Sequence, residues 1–119
     1  MNSNAFPSSW LHRLGLKIFS LNQRENLLPN LWCICPLDFN PVIIDITDQH
    51  VAFSINVNNV VMHISAIYAS TSNLKRKDLW QRLSWLQNQY IAPRCFIGDF
   101  NTVLGAHEHF GYFALLNPL

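Results

Sequence analysis

From Val51 the chain alternates cleanly, with Val51, Phe53, Ile55 and Val57 on one side and Ala52, Ser54 and Asn56 on the other. A period of two is that of a strand in a sheet. Asn58-Asn59 follows, a two-residue turn whose side chains tolerate positive φ. Val60 to Tyr68 then returns with apolar residues on both faces, which predicts a sheet covered on both sides. Residues 51–68 are therefore predicted as a β-hairpin. Ser70 to Asn73 is a capping cluster, and Leu79, Leu83, Leu86 and Tyr90 follow at steps of four, three and four, the period of one helical face. A helix is predicted from Leu74 to Gln89, with Pro93 just beyond it. Arg94 to Ile97 reads as a short strand delivering Gly98-Asp99-Phe100-Asn101 at its carboxyl end. Upstream, Leu31 to Cys35 and Val42 to Ile46 are short apolar runs bounded by Pro36 and Pro41, again strand-like. Trp10 to Leu16 predicts a short amphipathic helix ending near Gly15, and Asn22 to Asn30 a polar loop. Hairpin, helix and a strand with an acidic end make an α/β arrangement, in which sites collect beyond the carboxyl ends of strands.

No internal repeat or low-complexity linker interrupts the 119 residues, a length that fits one domain with one core. Composition changes the picture in one respect. Only 13% of residues are charged, against about 25% in soluble domains. So little charge predicts apolar surface meant for a partner or for further chain, and a tendency to aggregate without it. The net charge of +1 gives no general attraction to polyanions. Lys75, Arg76, Lys77 and Arg82 are four of the eight basic residues, and read as the solvated face of a helix rather than as phosphate contacts. Cys33, Cys35 and Cys95 form no C-x-x-C pair and read as reduced, buried small hydrophobes of an intracellular protein. The first ten residues carry no secretory pattern. Between Asp48 and Lys75 no formal charge occurs, but Asn, Ser, Thr, Gln and His recur too often for a membrane span.

Asp99 and Asn101 are two apart, so in extended chain they share a face. A carboxylate beside a carboxamide suits phosphodiester hydrolysis: the first can orient or deprotonate a water, the second can donate to a phosphate oxygen as charge grows. Gly98 would let backbone approach closely. A bare Gly-Asp-x-Asn is equally the mark of an Asx turn ending a strand.

The order Val60 through Ser70, then a helix with Leu79-Trp80 and Leu83, then Cys95 through Leu104 resembles the middle of the endonuclease/exonuclease/phosphatase family. Asn30-Leu31-Trp32-Cys33, with Gly98 through Leu104 and His107-Glu108-His109-Phe110-Gly111, is similar to the LINE retrotransposon endonuclease domains of flowering plants. The resemblance covers about residues 25–111. It implies a DNase I-like α/β sandwich, DNA as partner, Mg²⁺ as cofactor and, by analogy, a nuclear address. It also implies three roles. Asp99 would orient or deprotonate the attacking water near Mg²⁺ and ligate the metal, directly or through water. Asn101 would hydrogen-bond the scissile phosphate and help place Asp99. Tyr68 would offer its hydroxyl to a phosphate oxygen. Without the resemblance, Tyr68 is an aromatic capping a sheet edge. His50 receives no role, and His63 reads as a satisfied sheet histidine. The pair His107 and His109 around Glu108 lacks the further ligand a zinc site needs. Trp10, Trp32, Trp80 and Trp85 read as core rather than as base-stacking platforms.

The family also uses an early Asn, a Glu metal ligand and a late Asp-His pair, and none of these has a counterpart on this pattern. Glu25 sits in a loop-like segment, and residues 112–119 form an apolar tail unlike what normally follows. Residues 1–111 are therefore expected to be a partial sandwich. Mg²⁺ demands near-octahedral oxygen ligands, so this chain is not expected to hold it stably. Two function classes follow: a fragment of a Mg²⁺-dependent DNA endonuclease, hydrolysing phosphodiesters in the intact parent, or a non-catalytic translated remnant.

Overall fold

The computed structural model describes residues 8–101. Their elements are α1 (Ser8–Arg13), β1 (Leu16–Leu21), β2 (Trp32–Pro36), β3 (Val42–Ile46), β4 (His50–Val57), β5 (Val60–Tyr68), α2 (Asn73–Gln89) and β6 (Arg94–Asp99). Strands β3 to β6 form one sheet in sequence order, and β1 and β2 form a separate antiparallel ribbon. β3, β4 and β5 pair antiparallel, whereas β6 pairs parallel to β5 because α2 carries the chain back across the sheet. No helix among the described residues is long and apolar enough to cross a membrane.

The hairpin forms as its pattern requires. Val57 pairs with Val60, and Asn58 and Asn59 have φ of 53° and 67°, the doubly left-handed turn that matches strand twist. Side-chain alternation then divides the core in two. Ile67 and Phe96 pack on one face with Leu79 and Leu83 of α2, and with Ala69, Phe100 and Trp80. Ala66, Ile64, Val51 and Phe53 face the other way, against Cys33, Phe19 and Leu31 of the ribbon and its loop. The layers are therefore helix, four-stranded sheet and two-stranded ribbon, an α/β sandwich. The ribbon covers β4 and β5 but supplies no partner to β6, whose Cys95 and Ile97 stay exposed. Among the described residues nothing covers that part of the second sheet face.

Several expectations need correction. The first helix ends at Arg13 rather than Leu16, and Leu16–Leu21 is a strand. Its alternation is hidden by a register shift between Ile18 and Ser20, since a bulge sets two residues against one and breaks the period. β6 extends beyond Ile97 to Asp99. Tyr90 lies outside the helical face: it is the C-cap, at φ −128°, and its ring meets the His63 ring at 5.3 Å. Cys33 and Cys35 are buried, and burial pushes the Cys33 thiol up to about 11. Cys95 is not buried, because it sits on the uncovered face of the edge strand. Trp10 and Trp85 are nearly half exposed; Trp85 underlies the Arg82 guanidinium at 4.5 Å.

Residue 50, passed over in the sequence, is fully buried. His50 Nδ1 lies 2.8 Å from Thr47 Oγ1, and Nε2 lies 3.0 Å from Asp45 Oδ2. That second contact is close but misaligned for a hydrogen bond. Arg82 grips Asp45 with two bonds of 2.8 Å, tying α2 to β3, whose register shift after Ile43 re-aims the carboxylate. Burial holds His50 below the usual imidazole range and outweighs the pull of Asp45, so the imidazole is neutral. The hydrogen bond from Arg82 holds the Asp45 carboxyl below its usual range. Both shifts act in one direction. An unfolded chain binds the His50 proton at the ordinary 6.5 while the folded chain resists it, so this part of the stability is present above pH 6.5 and is lost as pH falls below it. The chemical denaturation midpoint should therefore fall between about pH 7.5 and 5.5. His50→Gln, even if less stable throughout, should flatten that slope. An equally steep slope in the variant would show that His50 is not its source.

Candidate functional site

β5 and β6 run parallel, with Tyr68 opposite Asp99 as the last pair of the ladder. Paired residues in a parallel ladder project to the same face, so the two side chains leave that face as neighbours at the carboxyl ends of two adjacent strands. This closeness depends on Gly98. Its φ is +134°, and a Cβ there would lie 1.9 Å from the Ile67 carbonyl oxygen. No L side chain fits, so glycine is what lets β6 close against β5 one residue before the site.

Asp99 and Asn101 do come together, but not by strand alternation. The chain turns at Asn101, whose φ is 48°. Its backbone N–H donates to Asp99 Oδ1 at 2.9 Å, an Asx turn. The backbone N–H of Asn101, not its side-chain amide, thus orients Asp99. The side-chain Nδ2 donates to the Ala69 carbonyl at 2.6 Å, and the Ala69 N–H donates to the Asp99 carbonyl at 2.8 Å. These bonds lock the two strand ends together and leave Asn101 one amide hydrogen and its Oδ1 to offer.

The groups open into a cleft of about 430 Å³ whose lining includes Arg24, Glu25, Asn30, Lys75, Tyr68 and Asp99. Tyr68 and Asp99 share the sheet face covered by the ribbon, which is why the 22–30 loop joining β1 to β2 reaches them. The loop is held shut by Asn22, which is 2% exposed. Asn22 Nδ2 donates to Asn30 Oδ1 at 2.7 Å and to the Asp48 carbonyl at 2.8 Å. Its Oδ1 accepts from the Asn30 and Leu31 backbone, each at 3.0 Å. On the other wall, buried Gln49 accepts the Ser70 N–H at 2.7 Å and donates to the Lys75 carbonyl at 2.9 Å. It fixes the segment between Tyr68 and α2.

The sequence reading missed most of this lining. Glu25, read as part of a loop-like segment, lines the same cleft as Asp99. Arg24, Gln49 and Lys75 carried no motif. The one available signal was a pair of asparagines, Asn22 and Asn30, at the two ends of the polar loop. Of the basic cluster, Lys75 reaches the cleft while Arg82 binds Asp45, so only part of it is plain solvated face. His63 is a buried sheet histidine beside Arg94, 3.5 Å away; burial, and then Arg94, hold it below the usual imidazole range. His107, Glu108, His109 and the apolar tail 112–119 lie outside the described residues.

Among the described residues no three of His, Cys, Asp and Glu converge on one point. Asp48 turns toward Lys75 at 4.0 Å, and one Asp99 oxygen is taken by Asn101. These residues alone do not make the oxygen-rich, near-octahedral cage that Mg²⁺ requires.

Two substitutions test the arrangement. Gly98→Ala should cost roughly 3 kcal/mol or more, because the backbone must part from Ile67 or unwind; an unchanged denaturation midpoint would refute the close approach. Asn22→Ala should cost about 2–3 kcal/mol through its orphaned buried partners. It should also raise hydrogen exchange at Asn30 and Leu31 while leaving β5 protected.

No protein-family model matches the chain, and no curated protein matches it. Among solved structures it is similar to the human Nocturnin catalytic domain, determined with a bound sulfate anion, at a TM-score of 0.50 and 18% identity. The match covers 97% of this chain and 53% of that one, so the chain spans about half the length of the domain it resembles. The likeness is one of fold: the chain is a partial α/β sandwich of the DNase I-like type.

Proposed function

We propose that the cleft grips a phosphodiester, and that the chain belongs to a Mg²⁺-dependent phosphodiesterase whose substrate is DNA, of the kind that LINE retroelements carry. The observation that carries this is the in-register pairing of Tyr68 with Asp99 at adjacent parallel strand ends. A phenol and a carboxylate on neighbouring strand ends of one sheet face support a reading in which both meet a single tetrahedral group. The Tyr68 hydroxyl and the free Asn101 amide hydrogen donate to phosphate oxygens, and both bonds strengthen as charge grows there in the transition state. Asp99, already aimed by the Asn101 N–H, accepts a hydrogen bond from the attacking water. Arg24 and Lys75 line the cleft together with Glu25 and Asp48, and are the cations there that a diester's phosphate can meet. The preference for DNA and for a LINE origin rests on the wording of the 30–33 and 98–111 segments alone.

The described residues do not fit Mg²⁺ by themselves, and no step is routed through it. They make the phosphate-gripping part of a site whose remaining ligands would come from beyond them. A second reading, a translated remnant without activity, is favoured by the same lack of convergent ligands. One experiment separates the two readings. The 119-residue chain should nick supercoiled DNA in Mg²⁺ no faster than its Asp99→Ala variant. Joined to the flanking segments of an intact relative, it should nick, and Asp99→Ala should then slow the reaction by at least about 10²-fold. Asp99-dependent nicking by the chain alone would overturn the view that it lacks ligands. A completed domain that does not nick would leave the remnant reading standing.

A further inference from the structure

The turn from Thr47 to His50 joins β3 to β4, and both walls of the cleft hang on it. The Thr47 carbonyl accepts the Gln23 N–H at 3.3 Å, and the Asp48 carbonyl accepts Asn22 Nδ2 at 2.8 Å. Two consecutive carbonyls of the turn therefore hold the 22–30 loop. Gln49 serves the other wall. Its carbonyl accepts the Tyr68 N–H at 2.9 Å, and its side chain holds the Ser70 N–H and the Lys75 carbonyl. The turn thus ties together the loop that carries Glu25, the strand end that carries Tyr68 and the start of α2.

What keeps the turn in shape is local. The Thr47 N–H donates to the His50 carbonyl at 2.9 Å, and the Gln49 N–H donates to Thr47 Oγ1 at 3.2 Å. Thr47 Oγ1 in turn lies 2.8 Å from His50 Nδ1. Asp45 Oδ2 stands 3.0 Å from Nε2. A carboxylate oxygen repels a bare nitrogen lone pair, which assigns the hydrogen of the neutral imidazole to Nε2. Nδ1 is then the acceptor, and the Thr47 hydroxyl donates to it. The bonds run one way, from the Gln49 N–H through the Thr47 hydroxyl to His50.

A second proton on His50 has only Nδ1 to go to. There it reverses the bond: Nδ1 becomes a donor, and the Thr47 hydroxyl must turn its own hydrogen away. The ring has no exposed surface, so its new charge is not solvated in place. The groups around it do not compensate. Asp45 of β3 attracts the charge but is already bound by Arg82 of α2, which repels it, and Asp48 in the turn attracts it less than Asp45 does. The residue paired with His50 on β5 is Ile67, which carries no charge. Opening the turn to water relieves both the reversed bond and the buried charge.

We propose that the 47–50 turn is a proton-operated latch on the cleft: with His50 neutral it holds the 22–30 loop and the Tyr68–Ser70 segment in place, and with His50 protonated it lets go of both. The latch acts on the cleft walls whatever the cleft binds, so it stands apart from the phosphodiesterase reading.

The test follows the ¹⁵N-labelled 119-residue chain by NMR from about pH 7.5 downward, reading the His50 ring nitrogens and the backbone amides in the same samples. The ring should titrate below 6.5. The amides of Gln23, Gln49, Tyr68 and Ser70 should shift with the same midpoint, while Ile55 and Met62, paired within the hairpin, stay where they are. In His50→Gln those amides should no longer move at that midpoint. Thr47→Val removes the hydroxyl that donates to neutral His50 and should raise the His50 midpoint; a lowered midpoint would reverse the direction of the bond and overturn the latch. The latch is equally overturned if the amides ignore the His50 titration, or if they follow the same curve in His50→Gln. It also fails if His50 stays neutral until every resonance collapses together on unfolding.

Discussion

A side chain at position 98 would place its Cβ 1.9 Å from the Ile67 carbonyl oxygen, well inside contact distance, and the backbone there has φ +134°. Everything at the cleft depends on this approach. Because β6 lies flush against β5, Tyr68 and Asp99 become register partners. Because the strands end together, the Ala69 N–H can reach the Asp99 carbonyl and Asn101 can reach the Ala69 carbonyl. The hydrophobic core adds the clamp: Phe96 and Phe100 pack with Ile67 and Ala69 under Leu79 and Leu83 of α2. Apolar burial brings the layers together and opposes a slip of one residue, which would exchange the two faces; the glycine contact sets how closely the strand ends approach.

Polar side chains then do what the core cannot. Asn22 shuts the loop, Gln49 pins the segment after Tyr68, and Asp45 joins β3 to α2 through Arg82. Each of the buried amides, Asn22 and Gln49, is satisfied at both its oxygen and its nitrogen, which is the condition for burying an amide without a desolvation penalty. The result is a cleft whose walls are braced by buried hydrogen bonds.

What was legible in the sequence was what local pattern controls. The hairpin with its Asn58-Asn59 turn, the β3 run and the start of α2 at the Ser72 cap follow from period and turn chemistry, and they formed at or within a residue of their expected limits. β1 was not legible, because the bulge after Ile18 destroys the alternation that would announce it. Tyr90 kept helical spacing but ended the helix, since spacing alone does not say where a cap falls. For the site, Asp99, Asn101 and Tyr68 could be named from motif and resemblance, and the fold brings all three into one cleft. The reason first given for pairing Asp99 with Asn101 was incorrect: an Asx turn, not extended chain, joins them. Gln49 and His50 were invisible as wall or core residues because their roles arise from contacts between segments distant in sequence. His50, for instance, is buried beside the Asp45 carboxylate, which Arg82, thirty-seven positions further on, holds with two bonds.

The central claim is that Tyr68, Asp99 and Asn101 form a single tetrahedral-oxyanion site created by the β5–β6 pairing. Titrating the ¹⁵N-labelled chain with inorganic phosphate and following its amide resonances addresses it without needing activity, metal or DNA. The account predicts that the amides of Tyr68, Ala69, Ser70, Asp99 and Asn101 shift together along one saturating curve, and that Tyr68→Phe weakens that curve. Shifts spread over the exposed lysines and arginines, or none at the two strand ends, would contradict it.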